Sequence, residues 1–244
     1  MKKYGLIGFP LSHSFSQKYF TEKFQREKID GCRYENFPLA SIDEFPALIQ
    51  QQSDLHGLNV TIPYKEKVIP FLTARSEVVK TIGACNCIKI ENGQLTGHNT
   101  DVVGFEMSLR PLLQPFHKKA LVLGTGGAAK AVQYVLNKLD IAFLEVSRNP
   151  VTSRQIAYHQ IDATVIKEHQ VIINTSPLGM YPNINECPPL PYEALTETHY
   201  LFDLIYNPER TLFLQRGEER GAAIKNGHDM LIIQAEESWR IWTM

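Results

Sequence analysis

Along most of the chain, short apolar runs alternate with stretches in which apolar residues recur at helical spacing. Tyr4–Gly8 reads as a first strand, and residues 14–28 as a helix with Phe20 and Phe24 one turn apart. Residues 32–37, 56–61, 84–90 and 94–98 read as further strands. Glu91-Asn92-Gly93 between the last two predicts a hairpin, because Asn-Gly accepts positive φ. A helix is expected after Thr100-Asp101, with Phe105, Leu109 and Leu112 on one face and Pro111 and Pro115 ending it. The next run, 119–123, is a compact apolar strand. It leads into a helix with Ala128, Ala131, Val132, Val135, Leu136 and Leu139 at i, i+3, i+4, i+7, i+8 and i+11. Strands follow at 142–147, 170–174 and 200–204, and a helix over 230–242. Strands alternating with helices predict an α/β protein with a parallel sheet and right-handed crossovers.

One segment breaks the pattern. In His56–Glu66 (HGLNVTIPYKE), strand alternation puts Val60 and Ile62 on one face and Asn59 and Thr61 on the other. Pro63 suits the first turn of a following helix, which would leave Lys65 near a helix start, where the macrodipole disfavours a cation. By itself the window reads most simply as an edge strand followed by a solvated helix. It also fits two hydrogen-bonding side chains and a lysine converging at one strand end.

Composition narrows the class. At 244 residues and 43% hydrophobic, the chain can bury one large core or two smaller ones. A net charge of −1, with no basic run, gives no electrostatic case for nucleic acid or an anionic membrane surface. No window approaches the length of a membrane span, and the N-terminus lacks a signal-like apolar region. Cys32, Cys85, Cys87 and Cys187 lack C-x-x-C spacing, and the eight histidines show no metal-ligand spacing. The expectation is a cytoplasmic protein with reduced thiols and no metal.

The most informative motif is Gly124-Thr-Gly-Gly-Ala-Ala129, a G-x-G-x-x-A turn between a strand and a helix, as a dinucleotide site requires. Gly124 permits the tight turn and Gly126 the approach of a pyrophosphate, while Ala129 keeps helix and strand close. Helix N-terminal amides would hold the phosphates. The next strand ends Glu145-Val-Ser-Arg148. Glu145 stands at the sequence distance for bonding a ribose 2′-hydroxyl, but it falls within the strand. Ser147 and Arg148 fall at its tip, where a guanidinium fork would accept a 2′-phosphate. The spacing therefore favours NADP over NAD. Near the N-terminus, Ser14 and Gln17 form a capping-box pattern. The same hydroxyls, Ser14 and Ser16, at a helix start would also serve a small carboxylate.

Taken in order, G8-F-P-L-S-H-S-F-S16, N59-V-T-I-P-Y-K65, I82-G-A-C-N86, N99-T-D-V-V-G104, G124-T-G-G-A128, N174-T-S-P-L-G-M180, D203-L-I-Y206 and M230-L-I-I-Q-A235 resemble the shikimate dehydrogenase family over nearly the whole chain. The resemblance implies an N-terminal α/β substrate-binding domain (1–100 plus 227–244) and a Rossmann-type NADP domain (101–226), with a C-terminal helix returning to the first domain. It implies NADPH-dependent reduction of 3-dehydroshikimate to shikimate, toward aromatic amino acids, by a monomer or homodimer. It casts Lys65 and Asp101 as the catalytic pair, Ser14 and Ser16 as the carboxylate clamp, and Asn59, Thr61, Asn86, Tyr206 and Gln234 as ring and hydroxyl contacts. Gly124, Gly126, Gly127 and Ala128 match the phosphate loop, with Ser147 and Arg148 at the 2′-phosphate.

The residues also admit plainer roles. Asp101 could charge a helix N-terminus, Asn86 could sit in a turn, Gln234 could bridge helices and Tyr206 could pack at a strand end. Gln17, His98, Val102 and Asp229 stand where the family usually has proline, an acidic residue, glycine and glycine. The remaining alternatives are a quinate/shikimate dehydrogenase using NAD or both cofactors, and a non-catalytic NADP-binding regulator.

Overall fold

A computed structural model describes residues 1–11 and 14–244; Ser12 and His13 of the N-terminal serine motif lie outside the described residues. The chain divides into two compact units, Met1–Thr100 with Ala235–Met244, and Asp101–Gln234.

The first unit contains β1 (Lys2–Gly8), α1 (Phe15–Arg26), β2 (Cys32–Pro38), α2 (Phe45–Gln51), β3 (Leu55–Val60), β4 (Ala74–Arg75), α3 (Glu77–Ile82), β5 (Cys87–Glu91) and β6 (Gln94–His98). Its sheet runs β2-β1-β3-β5-β6-β4. β1 pairs in parallel with β2 and β3, but β5 is antiparallel to both β3 and β6, so this sheet is mixed. The antiparallel turn is the one expected from Asn-Gly: Asn92 and Gly93 both have positive φ, 51° and 76°. One sheet face packs Ile7, Leu58, Val60 and Ile88 against Phe45, Tyr64 and Val79. The other packs Tyr4, Leu6 and Tyr34 against Phe20 and Phe24 of α1 and against the C-terminal segment.

That segment is the end of α8 (His228–Thr243), the helix that closes the chain. Trp242 stacks on Tyr4 at 5.1 Å, and its indole N–H donates to the Ile88 carbonyl at 3.0 Å. Lys23 of α1, only 4% exposed, donates to Glu27 and to Glu236 of α8, with closest contacts of 2.8 Å. A buried ammonium needs such partners, so they tie α1 to α8.

The second unit contains α4 (Asp101–Leu109), β7 (Lys119–Leu123), α5 (Gly127–Lys138), β8 (Ala142–Val146), β9 (Gln155–Ile156), α6 (Ala163–Glu168), β10 (Val171–Asn174), β11 (Tyr200–Asp203), α7 (Leu212–Glu218), β12 (Ala223–Lys225) and the first part of α8. Every strand pair is parallel, and the order is β12-β11-β10-β7-β8-β9. This is the doubly wound order, whose direction reverses between β7 and β10. α5 buries Ala129, Ala131, Val132, Val135 and Leu136, close to the predicted stripe; Ala128 and Leu139 are only partly covered. α6 and α7, only six and seven residues long, have no periodic signal; their caps are the local cue. Asp162 accepts from the amides of Thr164 and Val165, and Thr211 from that of Leu214.

Candidate active site

In the first unit, β3 ends at Val60, and no helix follows Pro63. The Tyr64 amide donates to the Thr61 carbonyl at 2.9 Å, closing a β-turn with Pro63 in third place. Val68 N–H then reaches Tyr64 C=O, and the Tyr64 hydroxyl donates to Leu39 C=O at 2.6 Å. The expected pairing of Val60 with Ile62 therefore fails. Val60 is buried while Ile62 is 74% exposed, because the chain leaves the sheet between them. The expected dipole effect on Lys65 fails with the helix. Lys65 is instead held through its backbone: its carbonyl accepts from the Cys85 amide at 2.7 Å. Thr61 and Lys65 are both half-buried, and the Thr61 amide donates to Ile7 C=O.

Ser14 is the N-cap residue of α1, yet its side chain makes no capping bond. The capping box with Gln17 does not form, because the Gln17 carboxamide accepts from Asn36 Nδ2 at 2.9 Å instead. Ser14 Oγ is left buried with no hydrogen-bond partner among the described residues, at the N-terminal end of a twelve-residue helix. An unsatisfied buried hydroxyl is unfavourable, and an anion bound there would relieve it. Ser16 is half-buried in the first turn of α1.

Asn59 and Asn86 are both buried. The Asn59 carboxamide accepts from Tyr34 Oη at 2.8 Å and donates to Ser238 Oγ at 2.9 Å and to Asn86 C=O at 3.3 Å. Both amide hydrogens of Asn59 are engaged within the unit, while its oxygen, accepting from Tyr34, keeps a second lone pair for another donor. Asn86 accepts from the Thr100 amide at 2.6 Å and donates to Thr100 Oγ1 at 3.0 Å. That leaves one of its amide hydrogens for another partner. His98, at the end of β6, has its pKa lowered by burial first and by the nearby Lys89 charge second.

In the second unit, Asp101 opens α4 and is buried at its first turn, where the helix dipole favours a carboxylate. Gln234 is buried on α8 and donates to Leu231 C=O at 2.8 Å. Tyr206 is half-buried, and burial raises its phenol pKa.

The glycine turn stands at the switch point of the sheet. Gly124 has φ +115°, and a Cβ there would lie 2.8 Å from Thr175 Oγ1, at the end of β10. Only glycine satisfies both conditions. Gly126 is the N-cap of α5, and a Cβ on it would meet nothing within 4 Å, so the space over the helix start is open. Gly127 and Ala128 supply the first helical amides. At the end of β8, Glu145 is taken up by Gln155, whose Nε2 donates to it at 2.8 Å. Ser147 and Arg148 lie past the strand end, with Arg148 exposed. An exposed guanidinium and an occupied carboxylate suit a 2′-phosphate better than a bare ribose.

A second buried polar cluster had no assigned role in the sequence. Asp203, at the end of β11, accepts from Thr211 Oγ1 (2.6 Å), the Ile205 amide (3.0 Å) and Asn174 Nδ2 (3.1 Å). Asn174 in turn accepts from the amide and hydroxyl of Ser176. The cluster fixes the loops leaving β10 and β11. Burial pushes the Asp203 carboxyl up to about 6 against the lowering effect of its donors. Among the described residues, no group of three or more His, Cys, Asp or Glu is placed to hold a metal ion. Among them, too, no helix is long and apolar enough to cross a membrane.

The model of the shikimate dehydrogenase substrate binding domain matches residues 6–88. A shikimate dehydrogenase (NADP(+)) of Carboxydothermus hydrogenoformans is 36% identical over 256 residues, covering 98% of this chain and 90% of its own. A shikimate dehydrogenase crystallised with NADP+ superposes with a TM-score of 0.88 at 30% identity, covering all of this chain and 90% of that one. A quinate dehydrogenase from Corynebacterium glutamicum, in complex with NAD, gives a TM-score of 0.89 at 26% identity over 99% of this chain and 93% of its own.

Proposed function

The chain belongs to the shikimate dehydrogenase family, and from that premise we propose that it reduces 3-dehydroshikimate to shikimate with NADPH, reversibly, in aromatic amino acid biosynthesis. The observation that carries this reading is the reach of the likeness. A dinucleotide turn is common to many dehydrogenases, but here the match to relatives named for this reaction and cofactor runs through 98% of the chain, substrate unit included.

In this reading Ser14 and Ser16 bind the substrate carboxylate, the first hydroxyl being the one without a partner. Asn59, Thr61, Asn86, Tyr206 and Gln234 contact the ring and its hydroxyls. Gly124, Gly126, Gly127, Ala128, Ser147 and Arg148 would hold NADP. When bound, the cofactor supplies the hydride that adds to the ketone carbon. Lys65 places its ammonium at the ketone oxygen, stabilises the charge that develops there and delivers the proton that completes the alcohol. Asp101 completes the proposed catalytic pair and accepts from the neighbouring substrate hydroxyl. The four cysteines, all held as thiols, and the near-neutral charge fit residence in the cytoplasm, as a monomer or homodimer.

The test is steady-state oxidation with each combination of shikimate or quinate and NADP+ or NAD+. The expected result is a kcat/KM highest for shikimate with NADP+. A preference for quinate with NAD+ would assign the chain to the other branch of the family. Binding of NADP+ with no turnover of either acid would make it a regulator that keeps the fold.

A further inference from the structure

One chain of buried hydrogen bonds runs through the first unit and involves residues with no part in the proposed chemistry. Tyr34 Oη donates to Asn59 Oδ1 at 2.8 Å, and Asn59 Nδ2 donates to Ser238 Oγ at 2.9 Å. Ser238 Oγ lies 3.2 Å from Thr100 Oγ1, and Thr100 Oγ1 accepts from Asn86 Nδ2 at 3.0 Å. Tyr34, Asn59, Asn86, Thr100 and Ser238 are all buried. Four segments contribute: β2, β3, α8 and the stretch flanking the β5–β6 hairpin. The last member of the series, Asn86, is one of the residues given to the substrate's ring hydroxyls.

We propose that Tyr34 and Ser238 are positioning residues for substrate recognition, setting the side-chain orientation of Asn86 through Asn59 and Thr100. The inference rests on the functional reading above. The physics is that of a fully satisfied buried polar network, in which each member fixes the donor and acceptor roles of the next. The Asn59 amide can present its oxygen to Tyr34 only if its nitrogen faces Ser238. Neither Tyr34 nor Ser238 touches substrate in this account.

Tyr34→Phe removes one hydroxyl and keeps the ring that stacks on Phe20 at 4.6 Å. Ser238→Ala cuts the series at a second point. The experiment measures kcat and KM for shikimate and for NADP+ in both variants, in Asn86→Ala and in the Asn86→Ala/Tyr34→Phe double variant. Each single positioning variant is expected to raise the shikimate KM about five- to tenfold, the scale of one positioned hydrogen bond, with the NADP+ KM within about twofold of wild type. The double variant is expected to raise the shikimate KM no further than Asn86→Ala alone. Shikimate KM values within about twofold of wild type, equal rises in both KM values, or a fully multiplicative double variant would overturn the proposal. If Tyr34→Phe does not fold, Ser238→Ala decides by the same two KM values. A wild type that leaves shikimate unoxidised would instead overturn the functional reading, and the inference with it.

Discussion

Replacing Asp203 by asparagine should change how stability depends on pH, with a sign opposite to that of most carboxylates. Asp203 is fully buried, and its pKa is raised to about 6, burial outweighing the donors from Thr211, Ile205 and Asn174. In the unfolded chain an aspartate titrates near ~3.9. Between about pH 4 and about pH 6 the native state therefore holds a proton that the unfolded state has released, and stability falls as pH rises through that window. A shift of about two pKa units at ~1.36 kcal/mol each gives about 3 kcal/mol, present in full below pH 4 and lost above pH 6. The substituted asparagine carries no such proton. The stability of wild type minus that of Asp203→Asn should then decline by about 3 kcal/mol from pH 4 to pH 7, whatever constant offset the lost carboxylate bonds add. Denaturant unfolding of both proteins across that range measures it, with a probe in the second unit following its transition. A difference that stays flat with pH, or that grows as pH rises, would refute the reasoning.

Three further outcomes are expected. Gly124→Ala forces a side chain onto φ +115° and toward Thr175 Oγ1; at ~1–3 kcal/mol of strain it should weaken NADP+ binding at least about tenfold in calorimetry, with thermal stability lowered as well. Arg148→Ala should raise the NADP+ KM far more than the NAD+ KM, and equal effects would remove Arg148 from the 2′-phosphate site. Trp242→Ala takes away the ring stacked on Tyr4 and the donor to Ile88 C=O, and should cost about 3–5 kcal/mol in unfolding experiments.

What the sequence disclosed and what it withheld divide along physical lines. The stripe of α5, the Asn92-Gly93 turn and the glycine turn after β7 are local, because each depends on residues within one turn or one hairpin. The sequence could not show that Pro63 sits in a turn, since a proline near a strand end fits a turn or a helix start equally well. The Ser14–Gln17 capping box failed because a residue on another strand, Asn36, competed for the Gln17 side chain. The partners of Asn59 within the fold were invisible: Tyr34 is 25 residues away and Ser238 is 179. The Asn174–Asp203–Thr211 cluster was hidden for the same reason. Such networks join residues that share no period, and only the folded chain brings them together.

The central claim is tested most directly by following the near-ultraviolet absorbance of NADPH as 3-dehydroshikimate is added to the wild type and to Lys65→Ala. The wild type should consume NADPH in step with shikimate formed. Lys65→Ala should lose about 10²–10⁴-fold in kcat with little change in substrate KM, the range for a lost acid–base group. A wild type that leaves NADPH untouched, or a variant that keeps more than about half of wild-type kcat, where that loss is expected, would contradict the account.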